Sequence, residues 1–326
     1  MENTNRVTII MYHYVRDFLH SRYPEIKGLD ITLFKAQIDY LMKHYAIITM
    51  ETLIDAIETG STLPAKAALL TFDDAYSDHY QYVFPILSQK KIQGSFFPPV
   101  KAITEHKVLD VNKIHFILAS IKDKKKIITE VNKLLNYYRK EYSLESNEYY
   151  YTKLAIANRF DPAEVVFIKR LLQVELKEEL RHLITDVLFK KYIGIPEESF
   201  SRELYMNIDQ LKCMKQHGMH IGSHGYDHYW LGSLTKEKQI REVSSSLDFL
   251  KEVNGDIKQW TMCYPYGNYN KNTFEVLEEY ACKLAVTTEV NVASVQTHHR
   301  YALPRLDTND LPKDRMASTN EWYAKG

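Results

Sequence analysis

No stretch of this sequence stays apolar for the length needed to cross a bilayer. Its opening, MENTNRVTIIMYHYV, holds a short apolar run that Tyr12 and His13 interrupt, so it does not read as a secretory signal. The expectation is a cytoplasmic protein without membrane insertion. Cysteine is scarce. Cys213, Cys263 and Cys282 are odd in number, far apart and outside any C-x-x-C spacing, which argues against a disulfide framework or a structural zinc knuckle. No one sign of charge prevails: Lys+Arg and Asp+Glu are 42 each, so nothing points to nucleic acid or to an anionic membrane as a partner. Internal repeats and low-complexity tracts are absent as well.

At 326 residues the chain can bury one barrel-sized core or two ordinary ones. Its 24 tyrosines read as a polar-aromatic surface suited to sugars. Short apolar runs read as buried strands at Val7–Tyr12, Ala46–Met50, Ala67–Phe72, Gly94–Val100, His220–Ser223, Trp260–Tyr264, Lys283–Thr287 and Tyr301–Leu306. Amphipathic segments lie between them. Phe34–Tyr45 places Phe34, Ile38, Leu41 and Met42 on one face, and Lys236–Val253 and Thr273–Tyr280 look similar. Strand–helix alternation predicts a parallel α/β fold, and seven or eight such strands predict a barrel. The alternation breaks over residues 101–206, where Leu, Ile, Lys, Glu and Tyr recur at helical spacing with few glycines or prolines. This segment reads as a helical insertion for packing or dimerisation, with a lid beside the active site as its functional alternative.

The stretch AALLTFDDAYSDHY, Ala67–Tyr80, runs a buried strand into two adjacent aspartates. Neither carboxylate can be buried without a partner. Asp73-Asp74 is then either a helix cap, or one carboxylate holds a cation while the other moves a proton. The segment HIGSHGYDHYWL places His224 and His228 four apart, a spacing that lets two imidazoles meet one metal. With a carboxylate from another strand end they make a two-His-one-carboxylate set with open positions. CYPYGNYN, Cys263–Asn270, is at least a Pro-Gly turn after a strand. His13 follows the first strand, and Arg305 and Asp307 lie near the end of the last. Asp73, Asp74, His224, Tyr266, His13 and Arg305 thus all fall at or near C-terminal strand ends, which share one rim in a barrel.

TFDD, SHGYDH and YPYG, in that order, resemble the first three motifs of the polysaccharide deacetylases with NodB homology, carbohydrate esterase family 4. The opening MYHYV resembles the branch with an N-terminal Tyr-His-x-Val strand. The likeness covers Val7–Val100 and Asp209–Leu311, and leaves out the insertion between the first and second motifs. It implies a single distorted (β/α)7-type barrel over residues 1–326. It also implies a divalent metal, most often zinc, with cobalt, nickel, iron or manganese as alternatives. Asp74, His224 and His228 match the metal ligands. Asp73 matches the general base, the Tyr266 N–H a donor to the oxyanion, and His13 the general acid of that branch. Two departures stand out. Cys263 occupies the usual place of the arginine that braces the base, and the late Asp-x-x-Asp-Trp motif is not evident. Arg305, with or without Asp307, is the expected replacement, and His298 and His299 are expected at the surface. The resemblance implies hydrolysis of an N-acetyl group on an amino sugar or glycan precursor. A deformylase, an O-acetyl esterase, a metal-free ureide hydrolase and an inactive sugar-binding protein are the rival readings. Retention of Asp73 and of all three matched ligands argues against the last two.

Overall fold

The computed structural model describes residues 5–158 and 161–326. Its strands are β1 (Arg6–Tyr12), β2 (Val15–Arg16), β3 (Leu29–Asp30), β4 (Ala46–Ile47), β5 (Ala67–Asp73), β6 (Ser95–Phe97), β7 (His220–Ile221), β8 (Met262–Cys263), β9 (Ala285–Val286), β10 (Ala293–Ser294) and β11 (Leu306–Asp307). Strand β5 is the axis of the sheet. It lies parallel to β1 from Val7↔Ala67 to Tyr12↔Phe72, and parallel to β6 from Thr71↔Ser95 to Asp73↔Phe97. A strand flanked on both sides and covered on both faces must be apolar throughout, which is why AALLTF does not alternate with polar residues.

Following the ladders round, β6 pairs β7, Ser223 bridges to Met262, β8 pairs β9, Val286 bridges to Leu303, and β11 pairs β1. All of these pairings are parallel. Seven strands therefore close into a ring, in which single bridges replace full ladders on either side of β8–β9. The expected strand at Ala46–Met50 is shorter than predicted, and as β4 it pairs the start of β5 outside this ring. Alternation along β5 sorts its side chains: Ala68, Leu70 and Phe72 join one buried cluster, and Ala67 and Leu69 another that includes Ile9, Phe97, Cys263, Val286 and Leu303. The second set comes from strands all round the ring, so it faces the barrel interior. Thr71 and Asp73 share the parity of Leu69 and face the same way.

The first four helices are α1 (Ile31–His44), α2 (Met50–Thr59), α3 (Phe84–Lys90) and α4 (Val100–Thr104). The Asp30 side chain caps α1 by accepting the Thr32 N–H. Phe34, Ile38 and Leu41 are buried as expected, but Met42 is 43% exposed. At about 100° per residue it lies about 80° round from Phe34, off the buried stripe. The predicted strand Gly94–Val100 is cut to three residues, since Pro98 and Pro99 cannot donate to a ladder and Val100 already opens α4. Tyrosine is not confined to the surface. Tyr12, Tyr40, Tyr76, Tyr264 and Tyr301 rank among the largest fully buried side chains.

Residues 1–17, 28–107 and 201–326 make one compact unit, and residues 18–27 with 108–200 make a second. Helices α5 (Asp110–Ser120), α6 (Lys124–Tyr142), α7 (Asn147–Leu154), α8 (Ala163–Arg170) and α9 (Glu178–Tyr192) belong to the second unit. They bury Ile114, Ile117, Val131, Phe167, Ile184 and Leu188. Lys113, 5% exposed, is neutralised there by Asp186 and Glu197. The remaining helices are α10 (Glu197–Leu204), α11 (Ile208–Gln216), α12 (Lys236–Asn254), α13 (Lys271–Glu279) and α14 (Glu321–Lys325). Asn207 and Asn270 open α11 and α13 with capping boxes. Among the described residues no helix is long and apolar enough to cross a membrane.

Candidate active site

Asp73 ends β5 facing the barrel interior, and Asp74 follows it in a left-handed turn with φ 71°. The change of backbone conformation sends two adjacent carboxylates to different partners. Asp73 meets Arg305, whose Nη1 donates to Oδ1 at 2.9 Å and Nη2 to Oδ2 at 2.8 Å. This is the bidentate geometry that arginine alone can supply. Arg305 is fixed in turn by the Thr287 carbonyl at 2.7 Å and the Thr71 hydroxyl at 3.1 Å, and its Nη2 lies 3.2 Å from the Cys263 sulfur. Burial disfavours charge on Asp73, but Arg305 more than offsets this and brings the carboxyl down to about 2. Asp307 takes no part in that pair; it caps the turn at Thr308–Asp310 instead.

Asp74 turns toward the histidines. Its Oδ1 lies 3.3 Å from His224 Nε2 and 3.4 Å from His228 Nε2, and accepts no hydrogen bond among the described residues. The other oxygen, Oδ2, accepts the Tyr76 hydroxyl at 2.5 Å. His224 Nδ1 lies 2.7 Å from the Cys263 carbonyl. A carbonyl only accepts, so Nδ1 carries a proton, and in the neutral ring Nε2 presents a lone pair to Asp74. Ligand atoms of these three buried residues thus converge within 4.8 Å of one another, with the tautomer of His224 fixed so that its lone pair faces Asp74. This donor set fits a divalent cation, and with only three protein ligands it leaves coordination positions open.

His13 follows β1 and places Nε2 3.8 Å from Asp73 Oδ2, with 42% of its side chain exposed. Its carbonyl accepts from Nε2 of the buried His79 at 2.7 Å. Tyr266 lies in the Pro265–Gly267 turn at φ 57°, its ring edge against His228 and its face stacked on Trp230, with centroids 4.3 Å apart. Asp74, His228 and Tyr266 are therefore all non-glycine residues held at positive φ, a strain that persists where the surroundings over-determine it. His298 and His299 serve the loop before the last strand: His298 Nδ1 accepts the Ser294 N–H, and His299 stacks on Phe274.

All seven sequence-derived candidates thus lie around the C-terminal end of the barrel, in two linked groups. Sequence reasoning missed Tyr76, His79 and Trp230, which touch Asp74, His13 and Tyr266 directly, and Glu242, which holds the backbone between the two histidines. Their only signal was proximity to the motifs, since nothing in a tyrosine or glutamate type separates a helix-surface residue from a buried partner. Glu242 on α12 is the least visible of them, well downstream of the segment whose amides it binds.

The polysaccharide deacetylase family model matches residues 60–133 and 190–285, just over half of the chain. YxkH of Bacillus subtilis (strain 168), provisionally named a polysaccharide deacetylase, is 34% identical over 111 residues, 33% of this chain and 38% of YxkH. The chain therefore matches well under half the length of that relative. Among solved structures, the Streptococcus pyogenes deacetylase PplD in complex with acetate superposes with a TM-score of 0.57 at 17% identity, covering 93% of this chain and 92% of PplD. IcaB from Ammonifex degensii gives 0.57 at 19% identity over 94% and 93% of the two chains. A de-N-acetylase from Aggregatibacter actinomycetemcomitans gives 0.54 at 16%, over 96% and 97%. These neighbours share the fold, the (β/α)7 barrel traced above. The family match spans both aspartates, both histidines and the Pro-Tyr-Gly turn, and on that match this chain belongs to the polysaccharide deacetylase family.

Proposed function

We propose that this protein is a metal-dependent carbohydrate N-deacetylase, which hydrolyses an N-acetyl group on an amino sugar or glycan and releases acetate. The observation that carries the reading is the partition of the two adjacent aspartates: Asp73 is paired with a guanidinium, and Asp74 is aimed with one oxygen bare at two imidazoles. Asp74, His224 and His228 are the residues that would hold the metal. When bound, a divalent ion there supplies Lewis acidity toward an acyl oxygen and toward water. Zinc suits two imidazoles and a carboxylate.

Asp73 takes a proton from the attacking water. Arg305 keeps Asp73 ionised and fixes its orientation, so that the base stays out of the ligand set. The Tyr266 backbone N–H donates to the developing oxyanion, a contribution of about 3 kcal/mol per donor in acyl-transfer enzymes. His13, half-exposed with Nε2 3.8 Å from Asp73 Oδ2, hands a proton to the leaving nitrogen. His13 and Arg305 lie outside the matched family segments, so their roles rest on these distances and on the resemblance. The description of one structural neighbour as a de-N-acetylase supports an amide over an ester as the substrate bond.

The test is acetate release from N-acetylated monosaccharides, carrier-linked sugars and oligosaccharides, with and without added Zn2+, alongside elemental analysis of H224A and H228A. Metal-stimulated release, together with metal content lost in both variants, is the expected result. Metal content like the wild type in both variants would overturn the ligand assignment. Release of formate, or acetate release from O-acetyl sugars alone, would overturn the bond assignment.

A further inference from the structure

The turn that carries His224 and His228 has a backbone with no ladder of its own, and most of its polar groups go to two helices. Its carbonyls are taken by the start of α4: the Val100 N–H donates to the Gly225 carbonyl at 3.2 Å, and the Lys101 N–H to the Tyr226 carbonyl at 3.0 Å. The Lys101 ammonium also pairs with the Asp227 carboxylate. The His224 N–H donates to the Pro98 carbonyl at 3.3 Å, and the amides of Tyr226 and Asp227 go to α12. Glu242, only 6% exposed, accepts the Tyr226 N–H at 2.9 Å and the Asp227 N–H at 3.0 Å, both on Oε2. One helical turn further on, Ser246 accepts the Ser223 hydroxyl at 2.9 Å, and the Ser223 oxygen accepts the Gly225 N–H at 3.1 Å. Glu242 and Ser246 are an i, i+4 pair on one face of α12.

We propose that Glu242 is a positioning residue for the metal centre: one of its carboxylate oxygens, by gathering two successive amides, fixes the turn in which His224 and His228 converge on Asp74. The inference rests on the assignment of those three residues as metal ligands.

Two features of the turn support it. His228 is held at φ 59° and Gly225 at 76°, conformations the turn keeps only while its partners hold it. A Cβ on Gly225 would lie 3.2 Å from Oε2, so the carboxylate is pressed directly beneath the turn. A buried carboxylate is also costly, and burial pushes this carboxyl up to about 7 against the pull of the two amides. Such a group is tolerated where its acceptor capacity is used, and here the amides use it. Residues that orient ligands in this indirect way commonly change metal affinity by about 10–100-fold when altered.

The experiment measures Zn2+ affinity of the metal-free full chain by competition with a chromophoric chelator, for wild type, E242D and E242Q. Amide exchange of Tyr226 and Asp227 is followed in the same metal-free proteins. E242D keeps the charge but withdraws it by one methylene, and should bind Zn2+ about 10–100-fold more weakly, with faster exchange at both amides. E242Q keeps a carbonyl acceptor at full reach and should stay within a few-fold of wild type. Zn2+ affinity of E242D within twofold of wild type, in a wild-type chain that does bind zinc, overturns the role of Glu242 alone. No zinc binding by the wild-type chain overturns the ligand assignment, and this proposal with it.

Discussion

Asp73 and His13 can be separated by what each substitution spares. D73N should keep its metal and lose about 10²–10⁴-fold in turnover, as expected for loss of a general base. It should also melt at a lower temperature, because Arg305 is buried and would lose its counter-charge, a change of about 3–5 kcal/mol for a buried pair. Metal content and turnover are therefore measured per folded molecule, and near-normal turnover would reduce Asp73 to a cap. H13A should behave differently. Its loss should be far larger on an N-acetyl amide than on an activated ester, whose leaving group needs little protonation. Equal losses on the two substrates would remove His13 as the general acid. Cys263 belongs at this scale too. Its sulfur lies beside Arg305, and its carbonyl sets the tautomer of His224, so one residue touches both groups of the site.

Among the elements, the turn after β8 is the most tightly specified. Gly267 has φ 65°, and a Cβ there would collide with the Thr288 hydroxyl and lie 2.8 Å from the Thr288 nitrogen. G267A should thus destabilise the fold by about 2–3 kcal/mol, within the range for strain at a special φ/ψ. Because Tyr266 precedes it, activity should fall further than the loss of folded protein accounts for. Thermal melts with turnover measured well below the melting temperature check both parts, and wild-type stability would show that the Thr288 segment yields. The strand elements explain why the site is rigid where it needs to be. Strand β5 is held by β1 from Ala67 to Phe72 and by β6 from Thr71 to Asp73, whereas β7, β8 and β9 pair over only two residues each. Asp73 therefore ends the firmest strand, with Asp74 in the turn directly after it, and the histidine turn relies on side-chain capping.

At the scale of the whole molecule, acid stability should report buried neutral histidine. His79 is fully buried, and burial brings its pKa down to about 4 from 6.5. Between those values the unfolded chain binds a proton at this group that the folded chain does not, so the contribution of His79 rises with pH across the window and is lost as pH falls from about 6.5 toward 4, whereas Glu242, raised to about 7, contributes with the opposite sign. The shift corresponds to on the order of 3 kcal/mol. Buried His220 acts in the same direction. H79Q can still donate from Nε2 to the His13 carbonyl but does not titrate, so urea melts from pH 7 to 4 should show a flatter loss than wild type. Parallel pH profiles would show that His79 is not the group responsible.

The sequence alone determined the alternation that makes the barrel, the Asp-Asp at the end of β5, the His pair four apart and the Pro-Tyr-Gly turn, because each is local. A buried strand must be apolar, a tight turn needs glycine, and two histidines four apart are close enough in chain to meet one ion, although here they do so from an irregular turn rather than a helical one. Arg305 was legible as a polar residue near a strand end, but its bidentate grip on Asp73 bridges 232 positions of chain and exists only once the last strand lies beside the first. The same holds for the sulfur of Cys263 in the place of an arginine, for Tyr76 on the far oxygen of Asp74 and for Glu242 beneath the histidine turn. Tertiary structure decided these, because whether a polar side chain is a solvated surface group or a buried partner depends on what the rest of the fold brings against it, and no local pattern carries that information.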